Sequence, residues 1–127
     1  MRFMMLIKST ENSGPPPKEL MEAIWKNSAK AAEAGQMIDS GGLKPSATSA
    51  RVQLRNGEVS TLDGPFTEAK EIVGGFAIFE FKSMKEAVAS ATDFMELHRK
   101  FWPGWQGETE IRPMFGKEEF TAGAADS

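Results

Sequence analysis

The chain has 127 residues, a formal net charge of −3 at pH 7 and no cysteine. This length indicates a single domain, and the slight acidity argues against a nucleic-acid-binding surface, which would be strongly basic. The lack of cysteine excludes disulfides and thiolate chemistry, and one histidine is too few for a histidine-rich metal site, so we predict no metal and no other cofactor.

The first predicted element is a strand over residues 3–7, which are all apolar and therefore suit a strand buried on both faces. This apolar run is too short for a signal peptide, and a membrane helix needs about 20 such residues. We therefore expect a cytoplasmic protein that does not contact a membrane. After a loop, apolar residues at helical spacing predict a helix from about Lys18 to Ala34, with Gly35 as its C-terminal cap.

Short strands are predicted in the middle of the chain. Met37–Leu43 is the first, and Ala50–Leu54 and Glu58–Leu62 flank Asn56-Gly57. Asn-Gly between alternating residues is a strong hairpin signal, and the alternation predicts one solvated face. Residues 63–71 then form a loop of fixed shape, because Asp-Gly-Pro continues neither a helix nor a central strand. We expect the glycine of this loop to hold backbone angles that a β-branched residue resists.

The C-terminal half contains two more strands and a second helix. Gly75–Phe81 is apolar on both faces apart from Glu80, and Glu108–Phe115 is the last strand. Between them a helix is predicted from about Ser83 to Lys100. Ser83 and Glu86 have the spacing of a capping box.

The order of these elements predicts an α+β fold. Without the hairpin the order is βαββαβ, the ferredoxin-like pattern, so the hairpin would be an insertion. The first and third core strands are central in that fold, and they are the two that are apolar on both faces. Two helices cover one face of the sheet, and an exposed apolar face would be a liability. We therefore expect a homodimer packed sheet to sheet, with one domain at 1–115 and a flexible tail at 116–127.

The chain resembles the YCII-related family, in its DGPF-type branch. The resemblance covers roughly residues 1–115, and it is carried by Asp63-Gly64-Pro65-Phe66, Glu68, Lys70, Gly74-Gly75-Phe76, Met4–Ile7 and Glu110–Pro113. It implies a dimeric α+β barrel of unsettled activity, with lyase-like and isomerase-like relatives. Family members pair a histidine in the first helix with an aspartate after the second. Here the predicted first helix has no histidine, and Asp93 is the nearest positional match for the aspartate.

The loop at 63–71 supplies four candidate site residues. Asp63 is a candidate general base, or a hydrogen-bond acceptor for the turn backbone. Phe66 is a candidate ligand-stacking residue, or a core anchor of the loop. Glu68 and Lys70 would share a face of an extended segment, where they would either orient and polarise a polar ligand or form an exposed ion pair.

The end of the second helix supplies two further candidates. His98 is a candidate acid–base residue, because its unperturbed pKa lies near neutrality. Alternatively it is a structural cation favoured by the helix C-terminus. Trp102 is a candidate ligand-binding residue because it stands beside Trp105 and several cations.

The last strand supplies the final pair. Glu110 and Arg112 alternate with Thr109 and Ile111, so the two charged residues should point away from the helices. They would lie in the dimer cleft, either as a device that fixes the register of the two subunits or as part of a site.

These candidates predict that a small acidic or aromatic metabolite binds in the dimer cleft. Arg112 or Lys70 would meet its carboxylate or phenolate, and Glu68 or Asp63 would handle a proton in a cofactor-independent elimination or isomerisation. His98 and Trp102 would join only if the end of the second helix folds over that cleft. The alternatives are a non-catalytic ligand-binding or regulatory protein and a purely structural dimer. The sequence leaves the substrate and the presence of catalysis open.

Overall fold

The computed structural model describes residues 1–117 and residue 119. The rest of the predicted tail, residue 118 and residues 120–127, lies outside the described residues. The helices and strands are β1 (Arg2–Ser9), α1 (Lys18–Glu33), β2 (Met37–Gly42), β3 (Ala50–Arg55), β4 (Glu58–Asp63), β5 (Ile72–Glu80), α2 (Met84–Phe101) and β6 (Gly107–Pro113). None of the helices in this part of the chain is sufficiently long and apolar to span a membrane.

Four strands form one antiparallel sheet in the order β2-β5-β1-β6. This is the strand order of a ferredoxin-like fold once β3 and β4 are set aside, and the predicted α+β arrangement is confirmed. The first and third strands of that pattern, β1 and β5, occupy the centre as predicted. Each central strand is hydrogen-bonded to a neighbour on both edges, and its side chains on one face lie under the helices.

One face of the sheet packs against the helices and carries the core. Phe3 pairs with Phe79, and Met5 pairs with Ala77. All four are buried, together with Ala87 and two other residues in one cluster, Phe81 and Ala91. The small alanines let α2 approach the large side chains of the sheet, and the burial of apolar area stabilises this layer.

The helix boundaries follow their capping residues. The Ser83 hydroxyl accepts a hydrogen bond from the Glu86 N–H at 3.3 Å, and the Glu86 carboxylate accepts one from the Lys82 N–H at 2.9 Å. These bonds form the predicted capping box at the start of α2. Helix α1 ends before Gly35, whose φ of +72° is a left-handed conformation that glycine adopts readily. Trp25, one of the apolar residues of α1, is 64% exposed.

Neither α1 nor α2 packs on the other face of the sheet. Its central part consists of Met4 and Leu6 of β1 with their partners Ile78 and Phe76 of β5, and all four are half-buried. These residues alternate along the strands with the residues that face the helices, so they point to the opposite face of the sheet. Because they are apolar, that face is apolar too.

Strands β3 and β4 form a separate two-stranded sheet. Asn56 and Gly57 link them with positive φ values of 52° and 81°, the geometry of the tight turns preferred in hairpins. The apolar side of this hairpin is also solvated, since Val52, Leu54 and Val59 are each 71% exposed. The alternation predicted one solvated face, but the hairpin stands apart from the main sheet, so the apolar face is exposed as well.

Candidate functional site

A cavity of about 530 Å³ lies between the two helices and the helix-facing side of the sheet. The sheet contributes Met5, Ala77 and Phe79 to its lining, and α1 contributes Leu20 and Ile24, so most of the wall is apolar. The second helix contributes Phe94 and His98 to the lining, close to its C-terminal end. A concave and largely apolar cavity with few polar groups is the usual form of a small-molecule site.

His98 of α2 is one of the titratable groups that line this cavity. Its ring lies between Phe94 and Trp105, with centroid distances of 4.7 and 4.5 Å. Nδ1 lies 3.0 Å from the carbonyl oxygen of Phe94. Because a carbonyl can only accept, Nδ1 carries the proton and donates, and Nε2 of the neutral ring is left as an acceptor.

The other ring nitrogen of His98 is Nε2. It has no hydrogen-bond partner within the described residues. The side chain as a whole is only 6% exposed, yet no buried side-chain nitrogen or oxygen in that part of the chain lacks a partner. Nε2 must therefore retain some accessible surface, and His98 is one of the residues that line the cavity.

Burial lowers the pKa of His98 below its usual value, and the hydrogen bond to the Phe94 carbonyl opposes that effect only in part. The imidazole is therefore neutral at neutral pH, with a free lone pair on Nε2. This is the reverse of the cationic role that its position near the helix C-terminus suggested.

We expect the depressed pKa of His98 to make folding less favourable as the pH falls below 6.5, the unperturbed value. The unfolded chain binds the proton first, so the contribution of a neutral His98 is present above 6.5 and is lost at lower pH. Urea unfolding of the wild type and of His98→Phe over a pH series measures this. The stability of the wild type relative to the variant should fall with pH, and a difference that does not change with pH would contradict the assignment.

The aromatic wall continues past the end of α2. Trp102 and Trp105 are stacked, with ring centroids 5.8 Å apart. Trp105 lies on Gly107 so closely that a Cβ there would be 2.4 Å from the indole ring. The glycine at the start of β6 therefore lets Trp105 fold back towards His98. A smaller cavity of about 400 Å³ adjoins the first and shares Thr10, Ser13 and both tryptophans with it.

Two loops contribute polar and charged groups to the main cavity. The loop after β1 contributes Thr10, Glu11 and Ser13, and the loop after β2 contributes Lys44. Both oxygens of the Glu11 carboxylate accept hydrogen bonds from Ser46, so this charge is already satisfied. Lys44 is the only lysine or arginine in the lining formed by the described residues. No cluster of three or more metal-ligating side chains occurs among the residues that the structure describes.

The YCII-related domain matches residues 1–96. The chain belongs to the YCII-related family. An uncharacterized protein of Rhizobium meliloti (strain 1021) is 32% identical to it over 85 residues, which are 67% of this chain and 64% of that protein. The chain therefore matches somewhat less than two thirds of that relative's length. His98, Trp102 and Trp105 lie beyond the part of the chain that matches the YCII-related domain.

In this YCII-related chain, none of the four loop candidates lines the cavity. Asp63 is exposed and its carboxylate has no hydrogen bond within the described residues. Phe66 is buried, with the Arg51 guanidinium 3.8 Å above its ring. Glu68 pairs with Arg51 at 2.5 Å, and Lys70 is exposed. Glu68 lies in a turn and Lys70 in a bend, and neither belongs to a strand, so the two side chains do not share a strand face.

Glu110 and Arg112 lie on the face of the sheet away from the cavity. Glu110 bonds to Lys8 at 2.5 Å, and Arg112 lies 3.8 Å from the same carboxylate. The Lys8 ammonium holds the pKa of the Glu110 carboxyl below its usual range. Thr109, by contrast, contacts the Met95 sulfur of α2 at 3.2 Å. The strand alternation is therefore as predicted.

The structure thus separates the predicted site residues into three places. His98 and Trp102 line the cavity between helices and sheet, Glu110 and Arg112 lie on the opposite face, and Asp63–Lys70 forms an outer loop. Sequence reasoning missed Phe94 and Lys44 as cavity residues. Phe94 could have been found, because it is an apolar residue at helical spacing from His98 in α2. Lys44 reaches the cavity through the path of a loop, which the sequence pattern does not indicate.

Proposed function

We propose that this YCII-related protein binds a small aromatic molecule in the cavity between its helices and its sheet. The observation that carries the proposal is one unpartnered acceptor, His98 Nε2, in a largely apolar cavity of about 530 Å³. An apolar ligand would gain from burial. A ligand that also carries an O–H or N–H group would be oriented by donating it to Nε2. This combination fits a phenol better than a purely aliphatic molecule, because aromatic rings already line the space around His98.

The charge at the cavity supports an acidic group on the same ligand. Lys44 is the single lysine or arginine of the described lining, and the nearby Glu11 carboxylate is held by Ser46. A ligand carboxylate would therefore meet Lys44 without facing an unpaired negative charge. The ligand class is an aromatic acid with a hydrogen-bond donor at its other end.

The chemistry available to His98 is proton acceptance. A neutral imidazole whose pKa is lowered by burial remains unprotonated at neutral pH and accepts a proton from a positioned O–H or C–H acid. That step is the start of a cofactor-independent elimination or isomerisation, the lyase-like or isomerase-like chemistry suggested for the family. The non-catalytic alternative uses the same hydrogen bond without proton transfer.

We assign the open face of the sheet to a second subunit. The half-buried apolar residues of β1 and β5 and the Lys8–Glu110 pair on this face would be covered in a dimeric α+β barrel. In this arrangement the β3–β4 hairpin would be an insertion in the βαββαβ pattern. We also assign the chain to the DGPF-type branch, and the residues Asp63–Phe66 support that assignment. The ligand then lies on the other side of the sheet from the predicted dimer cleft.

We expect a homodimer at micromolar concentration, with a light-scattering mass about twice the 13.9 kDa of the chain. Leu6→Glu would put a charge on the open face and should yield a monomer, because burying an unpaired carboxylate is costly. Val88→Glu, on an exposed part of α2, is the matched control and should remain dimeric. A wild-type protein that stays monomeric would refute the dimer proposal.

Isothermal titration calorimetry with three matched probes tests the binding proposal. para-Hydroxycinnamate has a ring, a phenol and a carboxylate. para-Methoxycinnamate lacks the donor, and para-propylphenol lacks the carboxylate. We expect para-hydroxycinnamate to bind about tenfold more tightly than para-methoxycinnamate, since the latter leaves Nε2 unpaired inside the cavity.

The probe without a carboxylate separates the two ends of the site. para-Propylphenol should bind more weakly than para-hydroxycinnamate in low salt, and added salt should reduce that difference because Lys44 is exposed to solvent. Equal affinities of all three probes would remove the proposed roles of His98 and Lys44. The absence of any binding would reject this ligand class.

A further inference from the structure

The loop Asp63–Phe66 is distinctive in the sequence but lines no part of the cavity. It nevertheless contacts a residue next to the cavity lining. The Phe66 N–H donates a hydrogen bond to the Ser46 hydroxyl at 3.0 Å, and Ser46 directly follows the lining residues Leu43–Pro45. The loop is therefore one residue removed from the wall of the cavity.

Ser46 joins three loops through its polar atoms. It is only 3% exposed. Its N–H donates to one oxygen of the Glu11 carboxylate, and its hydroxyl donates to the other at 2.8 Å while accepting from Phe66. Both capacities of the hydroxyl are thus used, and the loops after β1, β2 and β4 meet at one side chain.

Gly64 completes the junction by close approach. Its N–H donates to the Ser49 carbonyl at 2.8 Å. A Cβ at position 64 would lie 1.7 Å from the Ser46 carbonyl oxygen, so only a glycine allows the two backbones to come this near. Phe66, covered by the Arg51 guanidinium at 3.8 Å, fixes the other end of the loop in the protein.

Two of the loops joined in this way line one side of the cavity and carry its carboxylate, Glu11, and its ammonium, Lys44. This is called the polar side of the cavity. Thr10, Glu11 and Ser13 come from one, and Leu43 and Lys44 come from the other. The bonds between Glu11 and Ser46 cross from the first loop to the second. Without these hydrogen bonds, the loop after β1 would no longer help to fix the position of Lys44 relative to His98.

We propose that Glu11, Ser46, Gly64 and Phe66 form a clasp that positions the two loops at the polar side of the cavity, with the Asp63–Phe66 loop as its outer half. Ser46, Gly64 and Phe66 line no part of the cavity and are positioning residues that act on a ligand through Leu43 and Lys44. Glu11 lines the cavity, but both of its carboxylate oxygens are bonded to Ser46, so it too acts by positioning. The consequence for binding rests on the proposed function, whereas the clasp itself does not. The distinctive loop therefore serves the site without contacting the ligand.

Hydrogen–deuterium exchange of the unliganded protein tests the clasp directly. In Glu11→Ala the amide of Ser46 loses its acceptor, and we expect exchange at Ser46 and Phe66 to become about tenfold faster. The amides of Met5 and Ala77, in the central strands, should not change. Glu11→Gln keeps an acceptor for the Ser46 N–H and should restore slow exchange. A second clasp variant is Ser46→Ala, and Ser60→Ala in the exposed hairpin is its neutral control.

Probe binding tests the consequence for the cavity. In Glu11→Ala and Ser46→Ala, the affinity for para-hydroxycinnamate should fall several-fold, and that for para-propylphenol should change little, because the loss is confined to the side that carries Lys44. A general loss of structure would weaken both probes together.

Different results of the exchange experiment and of the probe-binding experiment would contradict the proposal. Unchanged exchange at Ser46 and Phe66 in Glu11→Ala would overturn the clasp, whatever the probes do. Faster exchange with the same preference between the two probes would overturn its positioning role. If no probe binds the wild type, the proposed function fails, and a methyl NMR shift of Leu43 in Glu11→Ala that Glu11→Gln restores still decides whether the clasp positions this wall.

Discussion

Replacement of Gly64 by valine is expected to lower the free energy of unfolding by about 3 kcal/mol or more, the upper range for forcing atoms into a packed site. The reason is geometric, since a Cβ at this position would lie 1.7 Å from the Ser46 carbonyl oxygen. Relief requires the backbones of two loops to separate, which would break the hydrogen bond from the Gly64 N–H to Ser49 and that from Phe66 to Ser46.

Urea unfolding followed by circular dichroism measures this effect. Gly42→Val is the matched control, because a Cβ there meets nothing within 4 Å and its φ is not in the left-handed region. Glu68→Ala is a second control, since its exposed pair with Arg51 should contribute little, about 0–1 kcal/mol. A Gly64→Val protein as stable as Gly42→Val would show that the two loops do not approach as closely as described.

Replacement of His98 by phenylalanine is expected to weaken para-hydroxycinnamate binding about tenfold or more while leaving the fold intact. Phenylalanine keeps a ring between Phe94 and Trp105 but removes Nε2, the proposed acceptor for the phenol. A tenfold loss corresponds to about 1.4 kcal/mol, within the range for one hydrogen bond to a buried group.

Two comparisons make the His98→Phe result specific. The affinity for para-methoxycinnamate should be nearly unchanged, because this probe donates no hydrogen bond to Nε2. Asp63→Asn, which alters an exposed carboxylate outside the cavity, should bind both probes like the wild type. If His98→Phe binds para-hydroxycinnamate as tightly as the wild type, the imidazole takes no part in recognition.

Much of the fold could be predicted from local pattern. The apolar run at residues 3–7 and the strand around Phe76–Phe81 indicated buried central strands, and they lie at the centre of the sheet as β1 and β5. Ser83 and Glu86 marked the start of α2 through a capping box. These predictions succeeded because burial and capping impose residue types at fixed spacings in the chain.

The cavity could not be predicted in the same way. Its volume depends on the distance between helices and sheet, which no single segment encodes. The same apolar spacing on α1 placed Leu20 in the core and left Trp25 exposed. His98 was recognised as a candidate, but its neutral state follows from the rings of Phe94 and Trp105 packed around it.

The sequence identified Gly64 as a residue that valine could not replace, but for a different physical reason from the one in the structure. The sequence suggested that this glycine holds special backbone angles. The structure instead places positive φ values at Gly14, Gly35, Gly57 and Gly104. Gly64 is required by the closeness of the Ser46 carbonyl, a contact between residues far apart in the chain that local turn chemistry does not reveal.

The most direct test of the central claim is the location of a bound ligand. Titration of isotope-labelled protein with para-hydroxycinnamate, followed by NMR, reports which residues it contacts. We predict shifts at His98, Trp105, Leu43 and the methyl groups of Met5 and Ala77, all on the helix side of the sheet. Shifts confined to Lys8, Glu110 and Arg112 on the open face, or to residues 63–70, would contradict the account and return the site to the opposite side of the sheet.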